Sequence, residues 1–422
     1  MASKKIIRKS KIAYNLLKDE GVLAVGIRSL EYIQKKVQSR SGSSRYKHGI
    51  HTSAKYNEII SVDLSKPANT NWIAPTSPKN QLTINWLMPP PGKGSGGHMT
   101  IYRFIQYLEK SGHTCRIYFH NPGRGSSVEA VKAIMGGSFP VLNATSSWLQ
   151  DNEEMEPADA IFATSWQTAY SVYCSNIKAK KFYFVQDFEP FFYPVGGMSI
   201  LAENTYRLGL RGITAGGWLE KRLRDEYGMV TDSFSFGSDH TVYSFANNKN
   251  RKEIVFYARP TTERRAFELG ILTLDIFHKK HPDYTINFIG WDVAEYDIPF
   301  PHKNLGILDP SELNELYNHC SASLVMSLTN MSLLPLELLS SGCIPVVNDG
   351  DNNRLVSNNK YIAYSPNDPL SLANKLSEVI SRDKLNTYAK QASKSVESCS
   401  WDESGKHFVA VVEASVNTNG VK

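Results

Sequence analysis

From about residue 81 onward, short apolar runs alternate with stretches whose apolar residues recur at helical spacing. The runs at 82–87, 115–119, 160–163, 182–186 and 233–236 predict strands, with helices at 99–110 and 218–227 between them. A polar stretch at 240–252, containing Asn247-Asn248-Lys249-Asn250-Arg251-Lys252, interrupts the series and marks a boundary. A second series follows, with strands at 254–257, 285–289, 323–326 and 344–347, and the chain closes on a helix at 402–416. Strand-helix alternation implies parallel sheets joined by right-handed crossovers. The expected fold class is therefore α/β, with two Rossmann-like doubly wound domains facing each other across a cleft at the carboxyl ends of both sheets. The expected division is an arm at 1–50, an N-terminal domain at 51–240, a C-terminal domain at 241–400, and a helix at 401–422 that crosses back to the first domain.

The arm has its own pattern. Leu23, Ile27 and Leu30 fall at i, i+4, i+7, and Ile12 and Leu16 form an earlier i, i+4 pair among many lysines. Residues 1–50 hold twelve Lys and Arg against Asp19, Glu20 and Glu31, a balance of +9. The whole chain carries +6, so the remainder is slightly acidic, which argues against a broad nucleic-acid surface. Two readings of the arm stay open. Either it lies on an anionic membrane surface through Lys4, Lys5, Arg8, Lys9 and Lys11, or it packs on its own domain with solvating lysines. Residues 40–50 read as a linker. Lys4-Lys5-Ile6-Ile7-Arg8 does not open into an apolar run, so no export signal is expected.

Composition narrows the class further. At 41% hydrophobic and 21% charged, with 28 Gly and 20 Pro in 422 residues, the chain is neither collagen-like nor disordered. Its five cysteines form no CxxC pair, which disfavours a disulfide scaffold or a cysteine-built zinc site and favours a reducing compartment.

Five segments carry candidate chemistry. The glycine loop Pro89-Pro90-Pro91-Gly92-Lys93-Gly94-Ser95-Gly96-Gly97-His98 follows the first strand and opens a helix, where backbone amides can approach a phosphate. It satisfies GxGxxG, but His120-Asn121-Pro122-Gly123 stands where a dinucleotide site needs a ribose-binding acid. A simple strand-to-helix turn is the alternative. In Tyr257-Ala258-Arg259-Pro260-Thr261-Thr262-Glu263-Arg264-Arg265, Thr261 is expected to cap a helix carrying Arg264 and Arg265 in its first turn. The helix dipole disfavours cations there, and a bound diphosphate would reverse that penalty. Pairing of these arginines with Glu263 or Glu268 is the alternative.

Thr329-Asn330-Met331-Ser332-Leu333-Leu334-Pro335-Leu336-Glu337 begins a short apolar helix, with Ser332 as its expected cap and Gly342 as its terminator. Glu337 interrupts the apolar surface and needs a strong partner or a ligand such as sugar hydroxyls. Gln186-Asp187-Phe188-Glu189-Pro190 lies past a strand end, so Asp187 and Glu189 are candidates to act as base or to hold hydroxyls, unless they are capping acids. Asp349-Gly350-Asp351 is a DxD, which fits a turn better than a metal site.

Taken together, Arg259 with Arg264 five residues on, Glu337, and Gly342 with Ile344-Pro345-Val346-Val347 resemble the nucleotide-sugar site of retaining family 4 glycosyltransferases with the GT-B fold. The wording Gln186-Asp187-Phe188-Glu189-Pro190, Arg259-Pro260-Thr261 and Leu334-Pro335-Leu336-Glu337 looks closest to WsaF-like rhamnosyltransferases. One departure stands out: Thr329 occupies the place of the family's first glutamate. The resemblance implies a hexosyltransferase using dTDP-β-L-rhamnose, without a metal or other cofactor, on a growing lipid-linked bacterial surface glycan. Donor contacts would come from Gly96, Gly97, Arg259, Arg264, Arg265, Thr329, Asn330, Ser332, Leu333 and Glu337. Asp187 and Glu189 would orient hydroxyls, with Arg259 and Arg264 supporting the leaving group. The basic arm would then hold the enzyme on the inner face of the cytoplasmic membrane. The oligomeric state stays open, and the rival classes are a nucleotide-sugar oxidoreductase or epimerase and a non-catalytic binder.

Overall fold

The computed structural model describes residues 54–418, apart from 70–71, 93–94, 121–126, 136–138, 150–152 and 248–250. The basic arm, including Lys4, Lys5, Arg8, Lys9 and Lys11, lies outside the described residues.

Among the described residues, strands β1 (Thr83–Met88), β2 (Thr114–Phe119), β3 (Thr145–Trp148), β4 (Ala160–Ala163), β5 (Lys180–Val185), β6 (Arg211–Ala215) and β7 (Thr231–Phe234) form one sheet in the order β3-β2-β1-β4-β5-β6-β7. Strands β8 (Glu253–Tyr257), β9 (Thr285–Ile289), β10 (Lys303–Gly306), β11 (Cys320–Val325), β12 (Ile344–Asn348) and β13 (Ala363–Ser365) form a second, in the order β10-β9-β8-β11-β12-β13. All neighbouring pairs are parallel. The order reverses between β1 and β4 in the first sheet and between β8 and β11 in the second. Such switch points open a crevice beyond the carboxyl ends of the strands.

Every residue of β4, β5, β11 and β12 is buried, as expected of parallel strands covered on both faces. Six helices matter for the argument: α1 (Gly96–Lys110), α2 (Trp166–Cys174), α3 (Gly217–Tyr227), α4 (Phe267–Lys280), α5 (Leu334–Ser340) and α6 (Trp401–Asn417). Each lobe has its own apolar core. In the N-terminal lobe Trp86 stacks on Phe162 at 4.2 Å, and Phe408 of α6 packs on both rings. Trp401, Phe408, Val412 and Val416 join that core, so the last helix belongs physically to the first lobe. Gly405 permits the approach: a Cβ there would lie 2.4 Å from the Tyr107 ring of α1.

Two local expectations need correction. Arg264 and Arg265 do not begin a helix. They lie in a 3-10 turn, Glu263–Arg265, preceded by Thr262 with no side-chain cap. The Arg264 carbonyl, which a helix would use internally, instead accepts the Leu328 amide at 2.9 Å. The chain leaves the turn through Ala266 in the left-handed region (φ 46°), and α4 starts only at Phe267. Likewise Ser332 does not cap α5. Leu333 holds the cap position, Pro335 sits in the first turn, and Ser332 Oγ accepts only a long 3.4 Å bond from Leu334.

Candidate functional site

Four connections meet where the carboxyl ends of the two sheets face each other: the glycine loop after β1, Gln186–Glu189 after β5, Arg259–Arg265 after β8, and Ser327–Leu333 after β11. The central group is Asp187. Its Oδ2 accepts Arg264 Nε at 3.1 Å and Thr329 Oγ1 at 3.1 Å. Its Oδ1 accepts the Asn330 amide at 3.0 Å and the adjacent Phe188 amide at 2.9 Å. Asp187 is buried, so these are charge-assisted bonds of about 1.5–3 kcal/mol each.

Three arginines stand in the connection after β8, where Asp187 reaches across. The Arg264 guanidinium lies over the Phe192 ring at 4.1 Å as well as against Asp187. Arg265 Nη1 donates to Ser327 Oγ at 2.8 Å, and desolvation lowers the affinity of its guanidinium for a proton. Arg259 Nη1 reaches the Tyr257 hydroxyl at 3.4 Å, with the Tyr257 and Trp291 rings each 5.9 Å from its guanidinium. Among the described residues none of the three pairs with Glu263 or Glu268. Arg264 alone of the three bonds a carboxylate, with Arg265 near that carboxylate and Arg259 near Arg265, so the mouth of the second sheet keeps an excess of positive charge suited to a polyanion.

Thr329 and Asn330 are buried and face the other lobe. Asn330 Nδ2 donates to the backbone oxygens of Gln186 at 3.1 Å and Ala215 at 2.8 Å. Gln186 in turn donates its Nε2 to the Gly97 carbonyl at 3.2 Å. Its side chain is also what a Cβ at Gly97 would touch, whereas one at Gly96 would meet nothing within 4 Å among the described residues. The start of α1 thus has open space beside its backbone. His98 braces this turn, bridging Ser95 Oγ at 2.8 Å and the Pro89 carbonyl at 2.9 Å, and burial holds its pKa below the usual histidine range.

The two remaining carboxylates are held in different ways. Glu189 does not face an opening. Its Oε2 accepts the Trp166 amide at the start of α2 (2.8 Å) and its Oε1 the Tyr183 hydroxyl (2.8 Å). Burial raises its pKa to about 7. Glu189 is therefore a capping acid, and a hydroxyl-orienting role has no free oxygen to use. Glu337 does find strong partners: the Tyr243 hydroxyl bonds it and the Arg103 guanidinium of α1 lies nearby, while desolvation raises its pKa to about 8. Leu333 packs against the N-terminal core. In the DxD, Asp349 is held by Arg354 through a bidentate pair at 2.5 and 2.8 Å, and Gly350 caps a short helix, Asp351–Arg354. Among the described residues no group of three or more His, Cys, Asp or Glu is placed to hold a metal ion.

Comparison with known proteins fits this geometry. Residues 252–377 match the family model of the WsaF C-terminal domain. The solved structures that superpose on the chain include Anabaena Alr3699/HepE in complex with UDP-glucose (TM-score 0.60, 12% identity, 79% of this chain and all of that one). TarM superposes with a TM-score of 0.63 at 9% identity, over 78% of this chain and 98% of that one. A glycosyltransferase from Rickettsia africae gives 0.58 at 13%, over 81% and 100%. The chain has the GT-B fold. A curated relative, the O-antigen biosynthesis protein RfbC of Myxococcus xanthus, is 29% identical over 333 residues. That alignment covers 76% of this chain, which spans about a quarter (26%) of the relative's length.

Several residues of this GT-B site escaped the sequence reading. Gln186 couples the glycine turn to Asn330, and Arg103 and Tyr243 gather on Glu337. Asn352 and Asn353 brace the loop after β11: both donate to the Ser327 carbonyl, and Asn352 also donates to that of Thr329. The only sequence signal for the last pair was an unusual run, Asp349-Gly350-Asp351-Asn352-Asn353, directly after a buried strand.

Proposed function

We propose that the protein is a glycosyltransferase whose C-terminal lobe holds a nucleoside diphosphate-sugar and releases the diphosphate against Arg259, Arg264 and Arg265. The observation that carries this reading is the surplus of guanidinium groups over carboxylates where the two sheets face each other. As the bond between anomeric carbon and diphosphate breaks, negative charge grows on the leaving oxygen. Preorganised cations in a partly dry site stabilise that charge most at the transition state. Open backbone at Gly96 supports an approach of the diphosphate from the N-terminal side. The match of the C-terminal lobe to the WsaF domain supports dTDP-β-L-rhamnose as donor, and the RfbC relative supports a bacterial surface glycan as product.

The acceptor is a hydroxyl of a growing lipid-linked glycan, and the basic arm brings the enzyme to the anionic inner face of the membrane that carries it. Attack comes from the face the diphosphate leaves, so configuration is retained, and a leaving phosphate oxygen takes the acceptor proton. The guanidinium cluster does the work a divalent metal does elsewhere, and Asp349 is already committed to Arg354. The test is product analysis with purified full-length chain, a panel of nucleotide-sugars and a lipid-linked acceptor. Release of dTDP from dTDP-β-L-rhamnose, with a β-linked product by NMR and undiminished rates in chelator, is the expected result. Bound nicotinamide absorbance with no transfer would point to an oxidoreductase instead.

A further inference from the structure

Asp187 sits where an anion is wanted. Three of its four hydrogen-bond donors come from the opposite lobe: a guanidinium N–H of Arg264, the hydroxyl of Thr329 and the backbone amide of Asn330. Guanidinium, hydroxyl and amide converging within about 3.1 Å is the donor set that recognises a phosphate oxygen. The carboxylate itself stands two residues past β5 of the N-terminal lobe. Its single charge is also less than its surroundings can accept, because Arg265 stands near it and Arg259 near Arg265, neither with a salt-bridged carboxylate of its own among the described residues. One member of the junction is incompletely satisfied: Asn330 Oδ1 is buried with no donor among the described residues. An incompletely satisfied contact is easier to exchange than a saturated one.

We propose that the Asp187 carboxylate is a built-in stand-in for the donor's diphosphate. It occupies Arg264, Thr329 and Asn330 while the site is empty and yields them when the donor binds. Asp187 is then a positioning residue. Before the donor arrives it holds the two lobes in register, and afterwards it is a freed carboxylate beside the reacting centre. The exchange is favourable because a diphosphate brings more charge and more acceptor oxygens to the same donors, and because Arg259 and Arg265 can add to it. Gln186 passes the change on, since its side chain holds Gly97 and its carbonyl holds Asn330. The proposal rests on the glycosyltransferase reading above and adds a competitor inside the protein.

The test compares full-length wild type with Asp187→Asn by calorimetric titration of dTDP and of inorganic pyrophosphate, together with donor KM and kcat. A ligand that must displace a bound group gains affinity when that group is neutralised, so Asp187→Asn should bind both probes about tenfold more tightly. Donor KM should fall, and kcat should fall with it, because the freed carboxylate is gone. A merely structural role predicts weaker binding and a raised KM. Unchanged or weaker binding by a folded Asp187→Asn overturns the stand-in while leaving the transferase intact. Asp187→Ala, which removes the carboxylate by a different route, gives the same reading if Asn is not tolerated. If wild type binds no nucleoside diphosphate at all, the transferase reading fails and the stand-in fails with it.

Discussion

At the scale of single residues the molecule separates two kinds of buried acid. Asp187 is held by the Arg264 guanidinium and three further donors, whereas Glu189 has only an amide and a tyrosine hydroxyl in an aromatic surround of Tyr183 and Tyr206. Burial therefore lifts Glu189 from its ordinary 4.5 to about 7. The folded state thus holds a proton that the unfolded state gives up. That stabilisation is complete below about pH 4.5 and is lost as pH rises through about 7. Glu337, lifted to about 8, has the same sign. Glu189→Gln keeps both bonds possible without the charge, so its melting temperature should fall less between about pH 5 and 8 than that of wild type. Differential scanning calorimetry across that range checks it. A decline as steep as wild type would mean Glu189 ionises freely in the fold.

At the scale of elements, legibility followed apolar continuity. Strands β1, β2, β4, β5, β8, β9, β11 and β12 could be read because each is rich in apolar residues, and helices α1, α3 and α6 because their apolar positions recur at helical spacing. Strands β3, β6, β10 and β13 could not. β3, β10 and β13 are short sheet edges, half-exposed in Thr145–Trp148 and Lys303–Gly306, whereas β6 is interior and mostly buried but its Arg211–Ala215 sequence has no unbroken apolar run. The arginines of the site were legible because they follow a strand end. Their partner was not, since the Asn330 amide and Asp187 lie 143 residues apart and no local pattern encodes the pairing. The same limit explains why Thr329 and Asn330 read as ligand contacts while the structure gives both of them to the other lobe. Gly342, in contrast, was readable as a terminator, and the fold uses it twice. Its φ of +76° suits glycine, and a Cβ would lie 2.6 Å from the Phe245 ring and 3.0 Å from Arg251 Nη2. Gly342→Ala should cost about 2–4 kcal/mol, from left-handed strain plus overpacking. Denaturant unfolding measures this, and a change below about 1 kcal/mol would mean that the turn relaxes freely.

At the scale of the whole molecule, two doubly wound lobes place their strand ends face to face, and α6 returns the chain to the lobe where the described residues begin. The lobes are joined by polar contacts at Asp187, Asn330 and Arg264, which suits a site that must admit and release a charged ligand. The claim on which the account depends is that the arginine-rich mouth of the second sheet receives a nucleoside diphosphate. A thermal-shift panel of dTDP, UDP, GDP and their sugar conjugates, run on wild type and on Arg264→Ala, tests it most directly. Ligand that binds only the folded state raises the melting temperature with the logarithm of its excess. The account predicts a rise with dTDP and dTDP-rhamnose in wild type that is lost in a folded Arg264→Ala. No shift with any nucleotide, or an undiminished shift in the variant, would contradict it.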